Sequence, residues 1–208
     1  MARAIKNNII EIKTHNLRDW AIDTYGSVDD KPFGGGVGML IRPEPVFNGL
    51  STILKKSPFE KRDLSKTRVI MMSAGGKRFN QAKAEELAKL ENIVILAGHY
   101  EGFDQRIGDY MVDEEISIGE YVLTGGELPS MVIVDAVSRL LPGVLGKDSS
   151  SHDESWSEVE IDGKKIRTEE YPQYTRPQEF MGYKVPEVLI SGDPKKIKDW
   201  QLKKCASK

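Results

Sequence analysis

The chain has 208 residues, of which 39% are hydrophobic and 30% charged, with a formal net charge of −2. That composition fits an ordinary water-soluble globular protein of one large or two small domains. It contains no apolar run of bilayer-spanning length and no secretory start, and its single Cys205 excludes an internal disulfide or a cysteine metal cluster, so a cytoplasmic setting is expected.

In chain order, Thr67–Ser73 (TRVIMMS) reads as a buried strand running into AGGKRFNQ. Gln81–Leu90 consists of helix formers and stops near Asn92. Asn92–Gly98 (NIVILAG) is a second buried strand, followed by HYEGFDQR. Asp113–Leu123 contains a third strand, and Tyr121, Val122 and Leu123 at its end suit a pleated, half-buried surface. Thr124, Gly125 and Gly126 then break it, and Leu128–Leu141 suits a buried helix opened near Pro129. Continuous apolar strands separated by helices predict an α/β domain with a parallel sheet. After Pro142–Gly146 the composition turns polar, serine-rich and acidic, which predicts a flexible linker over 147–170. Residues 171–208 then form a small, mainly helical tail, with Asp193 as N-cap and Pro194 at the first helical position of its last helix.

Each predicted strand ends at glycines: Gly75 and Gly76, Gly98 and Gly102, Gly125 and Gly126. Ligands of open α/β sheets bind beyond the carboxyl ends of the strands, so three such ends in succession point to a shared pocket. It is not a standard dinucleotide or phosphate site. Gly34–Gly38 (GGGVG) lacks the G-x-G-x-x-G spacing, follows DDKPF and not a strand, and no G-x-x-x-x-G-K-[ST] occurs.

The segments DDKPFGGGVGML, GHYEGFDQR, SIGEYVLTGGELP, VSRLLPGVLG and YPQYTRP, in this order, resemble the bacterial tRNA (guanine-N1)-methyltransferases, the TrmD family of the SPOUT superfamily. The resemblance covers nearly the whole chain. It implies a SPOUT-type parallel sheet with a C-terminal trefoil knot over 1–146, a linker over 147–170 and a small, mainly helical tRNA-binding domain over 171–208. It also implies a homodimer with active sites between subunits, no membrane association, and S-adenosylmethionine as methyl donor. Ala74 and Gly76, then Gly98, Tyr100, Glu101 and Gly102, then Ile118, Gly119, Tyr121, Leu123, Gly125 and Gly126 match the walls of the family's donor pocket. A simple core role for Tyr121 and Leu123 is compatible with this, since pockets are largely apolar. Gly34, Gly35, Gly36 and Gly38 match the guanine side, and Tyr174 and Arg176 join lysines and arginines of the linker and tail as RNA contacts. Glu101 is the matching residue for a divalent ion, expected to be Mg²⁺, which takes only one or two carboxylates and keeps several waters.

The implied reaction methylates N1 of guanosine 37, beside the anticodon. Guanine N1 carries a proton at neutral pH, so the site needs a base near N1 and a cation near O6, where negative charge builds. Arg139 matches the family's essential arginine. The family usually has an aspartate before a serine and an aromatic residue; here the segment is SHDESW, which puts Glu154 at that position with Asp153 beside it. A glutamate reaches one methylene further, and the linker carrying it is expected to order when tRNA binds. Family members also begin with a strand ahead of the stretch similar to ARAIKNNIIEI and continue beyond WQLKKCASK, so an exposed sheet edge is expected. The alternatives are a truncated fragment that binds tRNA or S-adenosylmethionine without turnover, and a SPOUT enzyme acting at another RNA position; Arg139 with a linker acid favours guanine N1.

Overall fold

The computed structural model describes residues 1–145, 154–161 and 163–206. They fall into two compact units, Met1–Leu145 and Gly146–Lys208.

The first unit runs α1 (Ala2–Lys6), a 3-10 turn at Leu17–Trp20, β1 (Asp29–Asp30), β2 (Leu40–Ile41), α2 (Pro43–Leu54), β3 (Thr67–Arg78), α3 (Gln81–Leu87), β4 (Asn92–Leu96), α4 (Gln105–Tyr110), β5 (Glu114–Ser117) and α5 (Glu127–Ser138). The central sheet has the order β4-β3-β5, with both pairs parallel. Alternation along the strands builds two cores. Val69 and Met71, with Val94 and Leu96 beside them, pack on Val46, Leu50, Ile107 and Met111 from α2 and the α4 region. Ile70 and Met72, with Ile93, Ile95 and Ile116, pack on Ala84, Leu87, Ile133 and Val137 from α3 and α5. Successive side chains point to opposite faces, so an uninterrupted apolar run needs helices on both. This is the parallel α/β sheet expected from the sequence.

The helices start where local chemistry supplies partners. Pro43 opens α2, and the side chains of Asn80 and Asp104 accept main-chain N–H bonds at the starts of α3 and α4. Asp113 pins the strand entrances: one carboxylate oxygen accepts from Val69 N at 2.7 Å while Arg62 Nη2 donates to the other at 2.6 Å. Both side chains are almost fully buried, and Arg62 also donates to the carbonyls of Pro58 and Met111, so the buried charges are paired and hydrogen-bonded.

Several boundaries differ from expectation. β3 continues to Arg78, so Gly75 and Gly76 lie within a strand and not in a loop after it; the register beside β5 shifts between Met72 and Lys77, which absorbs the extra residues in an irregularity. β5 stops at Ser117, and Tyr121, Val122 and Leu123 are not in a strand. The Ser117 hydroxyl ends it, donating to Gly119 O and accepting from Gly119 N. Helices α3 and α5 end earlier than predicted, at Leu87 and Ser138.

The second unit contains β6 (Glu158–Ile161), β7 (Lys164–Arg167), β8 (Glu179–Phe180), β9 (Tyr183–Lys184), α6 (Glu187–Ile190) and α7 (Pro194–Ala206). The segment expected to be a flexible linker therefore holds an antiparallel hairpin, β6–β7, paired from Glu158↔Arg167 to Ile161↔Lys164. The signal was present as Asp-Gly at 162–163 between paired stretches, with Gly163 at φ +73°. The tail carries the short β8–β9 hairpin besides its helices. Asp193 caps α7 as expected, its carboxylate accepting from Lys195 N and Lys196 N.

Candidate active site

In the first unit, glycine-rich segments meet around the loop that follows β4. Gly126 N donates to Gly98 O at 2.7 Å, and His99 forms an isolated antiparallel bridge with Gly125. A Cβ on Gly126 would stand 2.7 Å from Ala97 Cα and from Gly98 N. That is main chain against main chain, so no side chain can swing aside, and only glycine fits. His99 Nε2 and Glu127 Oε1 add a 2.7 Å side-chain pair across the same seam, in which both residues are half exposed.

The loop between β1 and β2 closes on the other side. Ile41 N donates to Gly102 O, Asp104 N to Ile41 O, and Glu101 N to Met39 O, at 2.9–3.1 Å. Gly34, Gly35, Gly36 and Gly38 all have positive φ, and a Cβ on Gly38 would lie 2.4 Å from Glu101 Cγ. The structure thus brings Gly38, the last glycine of the GGGVG stretch, directly against Glu101. Asp104, half-buried at the end of the same loop, is hydrogen-bonded by the Arg106 guanidinium, which holds its carboxyl below the usual range against a smaller, opposing effect of burial.

The segment 118–125 leaves β5 and returns to this seam. Tyr121 folds its ring over Gly119, where a Cβ would lie 2.3 Å from Tyr121 Cε1. Tyr121 remains 54% exposed, Leu123 39% and Tyr100 55%, so none of the three is a core residue of this unit. Tyr100 is also held at φ +61°, a left-handed conformation that non-glycine residues rarely adopt and that concentrates at binding sites. Ile118 is half-buried against the α3–α5 core. Ala74 and Gly76 belong to the irregular end of β3; Ala74 is exposed, while a Cβ on Gly76 would meet the main chain of Glu115 and Ile116 at 2.7 Å. Gly76 thus packs against β5.

Arg139 caps the end of α5, half-buried, its N–H bonded to Asp135 O. It sits on the helix that Gly126 starts, so α5 connects the seam to the guanidinium. Glu101 is exposed, and among the described residues no group of three or more His, Cys, Asp or Glu side chains is placed to hold a metal ion.

In the second unit, Glu154 starts a turn that leads into β6: Ser157 N and Ser157 Oγ both donate to Glu154 O, at 3.1 and 2.7 Å. Glu154 is half-buried in a small cleft with Thr168, Tyr171, Lys198 and Cys205. Asp153 lies outside the described residues. Tyr174 is half exposed with its ring 6.4 Å from that of Trp200, and Arg176 is exposed. Sequence reasoning missed His99, Glu127 and the Ser155 to Glu170 bond described below. The first two sit inside the quoted motifs; only their proximity across the seam marks them.

The first unit is thus an α/β protein of the class that gathers a glycine-walled, partly apolar site at the carboxyl ends of parallel strands. Comparison with known proteins makes the assignment specific. The family model described as tRNA (Guanine-1)-methyltransferase TrmD matches residues 1–208. A tRNA (guanine-N(1)-)-methyltransferase of Dehalococcoides mccartyi is 47% identical over 201 residues, which is 97% of this chain and 75% of that protein. Proteins of the same name from Staphylococcus carnosus and Staphylococcus aureus are 47% and 48% identical, each over 97% of this chain and 76% of their own length. The chain belongs to the TrmD tRNA (guanine-1)-methyltransferase family.

Proposed function

We propose that this chain is a tRNA methyltransferase that moves a methyl group from S-adenosylmethionine to N1 of guanosine 37. Family membership over the whole chain supports the reaction. The observation that carries the placement of the donor is the seam at Gly98 and Gly126, where main chain meets main chain among exposed Tyr100, Tyr121 and Leu123. Aromatic and aliphatic faces suit an adenine ring, and open main-chain groups at a tight glycine turn suit its polar edge.

The close passage of Gly126 past Ala97 supports the trefoil knot. In the proposed arrangement 1–146 is the donor-binding SPOUT domain and 171–208 contacts RNA through Tyr174, Arg176 and the lysines of α7. Exposed Leu128, Met131 and Val132 on α5 support a homodimer, since an apolar helix face gains from burial. The working compartment is the cytoplasm.

In the chemical step, Glu154 accepts the N1 proton and the ring becomes nucleophilic. The N1–carbon bond forms as the carbon–sulfur bond breaks, the sulfur keeping that electron pair and leaving as a neutral thioether. Arg139 donates to O6 as negative charge gathers there. General-base help of this kind contributes about 10²–10⁴-fold, and a placed donor at a developing oxyanion about 10²–10³-fold. A divalent ion at Glu101 would neutralise nearby negative charge.

The test is transfer of labelled methyl to two tRNA transcripts, one with guanosine and one with adenosine at position 37, with and without Mg²⁺. Label confined to the guanosine transcript is expected, reduced about 10²–10⁴-fold in Glu154→Gln. Equal label on both transcripts overturns the site, and no label on either from the folded protein overturns the reaction.

A further inference from the structure

The turn that carries Glu154 is tied to chain well beyond it. Trp156 N donates to Thr168 O at 2.7 Å, and Glu170 N donates to Ser155 Oγ at 3.0 Å. Arg167 Nη1 donates to Trp156 O at 3.0 Å while its Nη2 pairs with Glu158 at 3.3 Å. These bonds extend the β6–β7 ladder past its regular end, so the hairpin closes at its mouth on Ser155 and Trp156. Thr168 is tied in turn to the end of α7, its hydroxyl donating to Cys205 O at 2.8 Å. Trp156 stands at φ +70°, a conformation a bulky residue keeps only where its surroundings over-determine it.

We infer that the β6–β7 hairpin is a clip that holds the Glu154 turn formed in the free chain, with Ser155 as its positioning residue. The proposal rests on Glu154 being the base of the methyl transfer. Its physical point concerns orientation. A carboxylate on a loose segment samples many directions, and each turnover bears the loss of that freedom. Closing the segment with a hairpin meets that cost once, on folding, and misplacement by about 1 Å can cost about 10²-fold in rate. The clip is an alternative to the expectation that this whole stretch orders only on tRNA binding. It also accounts for a glutamate at the position: the turn is held by its own main chain, so one added methylene changes reach and not anchorage.

Ser155→Ala removes the acceptor for Glu170 N, and Ser155→Thr keeps it. Methyl transfer to the guanosine-37 transcript is expected to show kcat lowered roughly ten- to a hundredfold in Ser155→Ala, KM for S-adenosylmethionine unchanged, and activity recovered in Ser155→Thr. Amide hydrogen exchange on the free, full chain is read alongside. Trp156 and Glu170 amides are expected to be protected in the parent chain, with Glu170 opened in Ser155→Ala. Unprotected amides in the parent chain overturn the clip whatever Glu154 does. Protected amides with undiminished kcat in Ser155→Ala, while Glu154→Gln is inactive, overturn the positioning role. A fully active Glu154→Gln overturns the base assignment and with it the role of Ser155 in the reaction, and the exchange data then stand as evidence for the clip alone.

Discussion

A single hydrogen atom in place of a methyl group decides the geometry at Gly126. Its would-be Cβ meets the Ala97 and Gly98 main chain at 2.7 Å, whereas the same construction on Gly38 or Gly119 meets side chains of Glu101 or Tyr121 that can rotate away. Gly126→Ala is therefore expected to force the two loops apart and abolish the 2.7 Å Gly126 to Gly98 bond. A buried donor left unpaired costs about 1–3 kcal/mol before steric strain is counted. Binding of S-adenosylmethionine by titration calorimetry should weaken at least about tenfold in this variant. Unchanged binding would mean that the seam does not shape the donor pocket. The residue scale also shows why Gly126 looked no different from Gly75 in sequence. Both are glycines beside a glycine after an apolar run, and only the approach of distant main chain separates a required residue from a tolerated one.

At the scale of elements, α4 illustrates how the site's frame depends on ionisation. Asp104 caps it and bonds Arg106, and that bond holds the Asp104 carboxyl below its ordinary value of 3.8. A carboxyl with a depressed folded value stabilises the fold fully above its unfolded value, and the contribution disappears as pH falls through the folded one. Glu44 and Glu86 are lowered in the same sense, chiefly by hydrogen bonds from Arg42 and Lys83. Asp104→Asn keeps a side chain able to cap a helix but removes the charge. Urea denaturation should show the parent chain ahead of this variant at pH 7, with the lead shrinking as pH falls below about 3.8. A lead that is constant with pH would exclude the Asp104–Arg106 pair as its source. The elements themselves were legible where periodicity was strong. β3, β4, α3 and α5 were expected in place, because continuous apolar runs and helix formers are local signals. The end of β5 and the β6–β7 hairpin were not, since a serine hydroxyl closing a turn and a Asp-Gly pair in an acidic stretch carry weak local patterns.

For the molecule as a whole, burial within one copy leaves Leu128 61%, Met131 59% and Val132 46% exposed on α5, the helix between the seam and Arg139. An apolar face in that place is the surface on which the proposed dimer depends. Met131→Asp should convert the chain to a monomer by sedimentation equilibrium and reduce methyl transfer with it. A dimer that persists in Met131→Asp would place the interface elsewhere.

The sequence by itself determined the layered sheet, the capping of α7 and membership of the family, because each rests on patterns carried within short segments or on motifs in order. Only the tertiary structure decided that Gly38 lies against Glu101, that Gly98 and Gly126 share a hydrogen bond, and that Ser155 is tied to Glu170. Those are meetings of groups separated in sequence, set by how the chain packs, and no residue pattern near either partner records them.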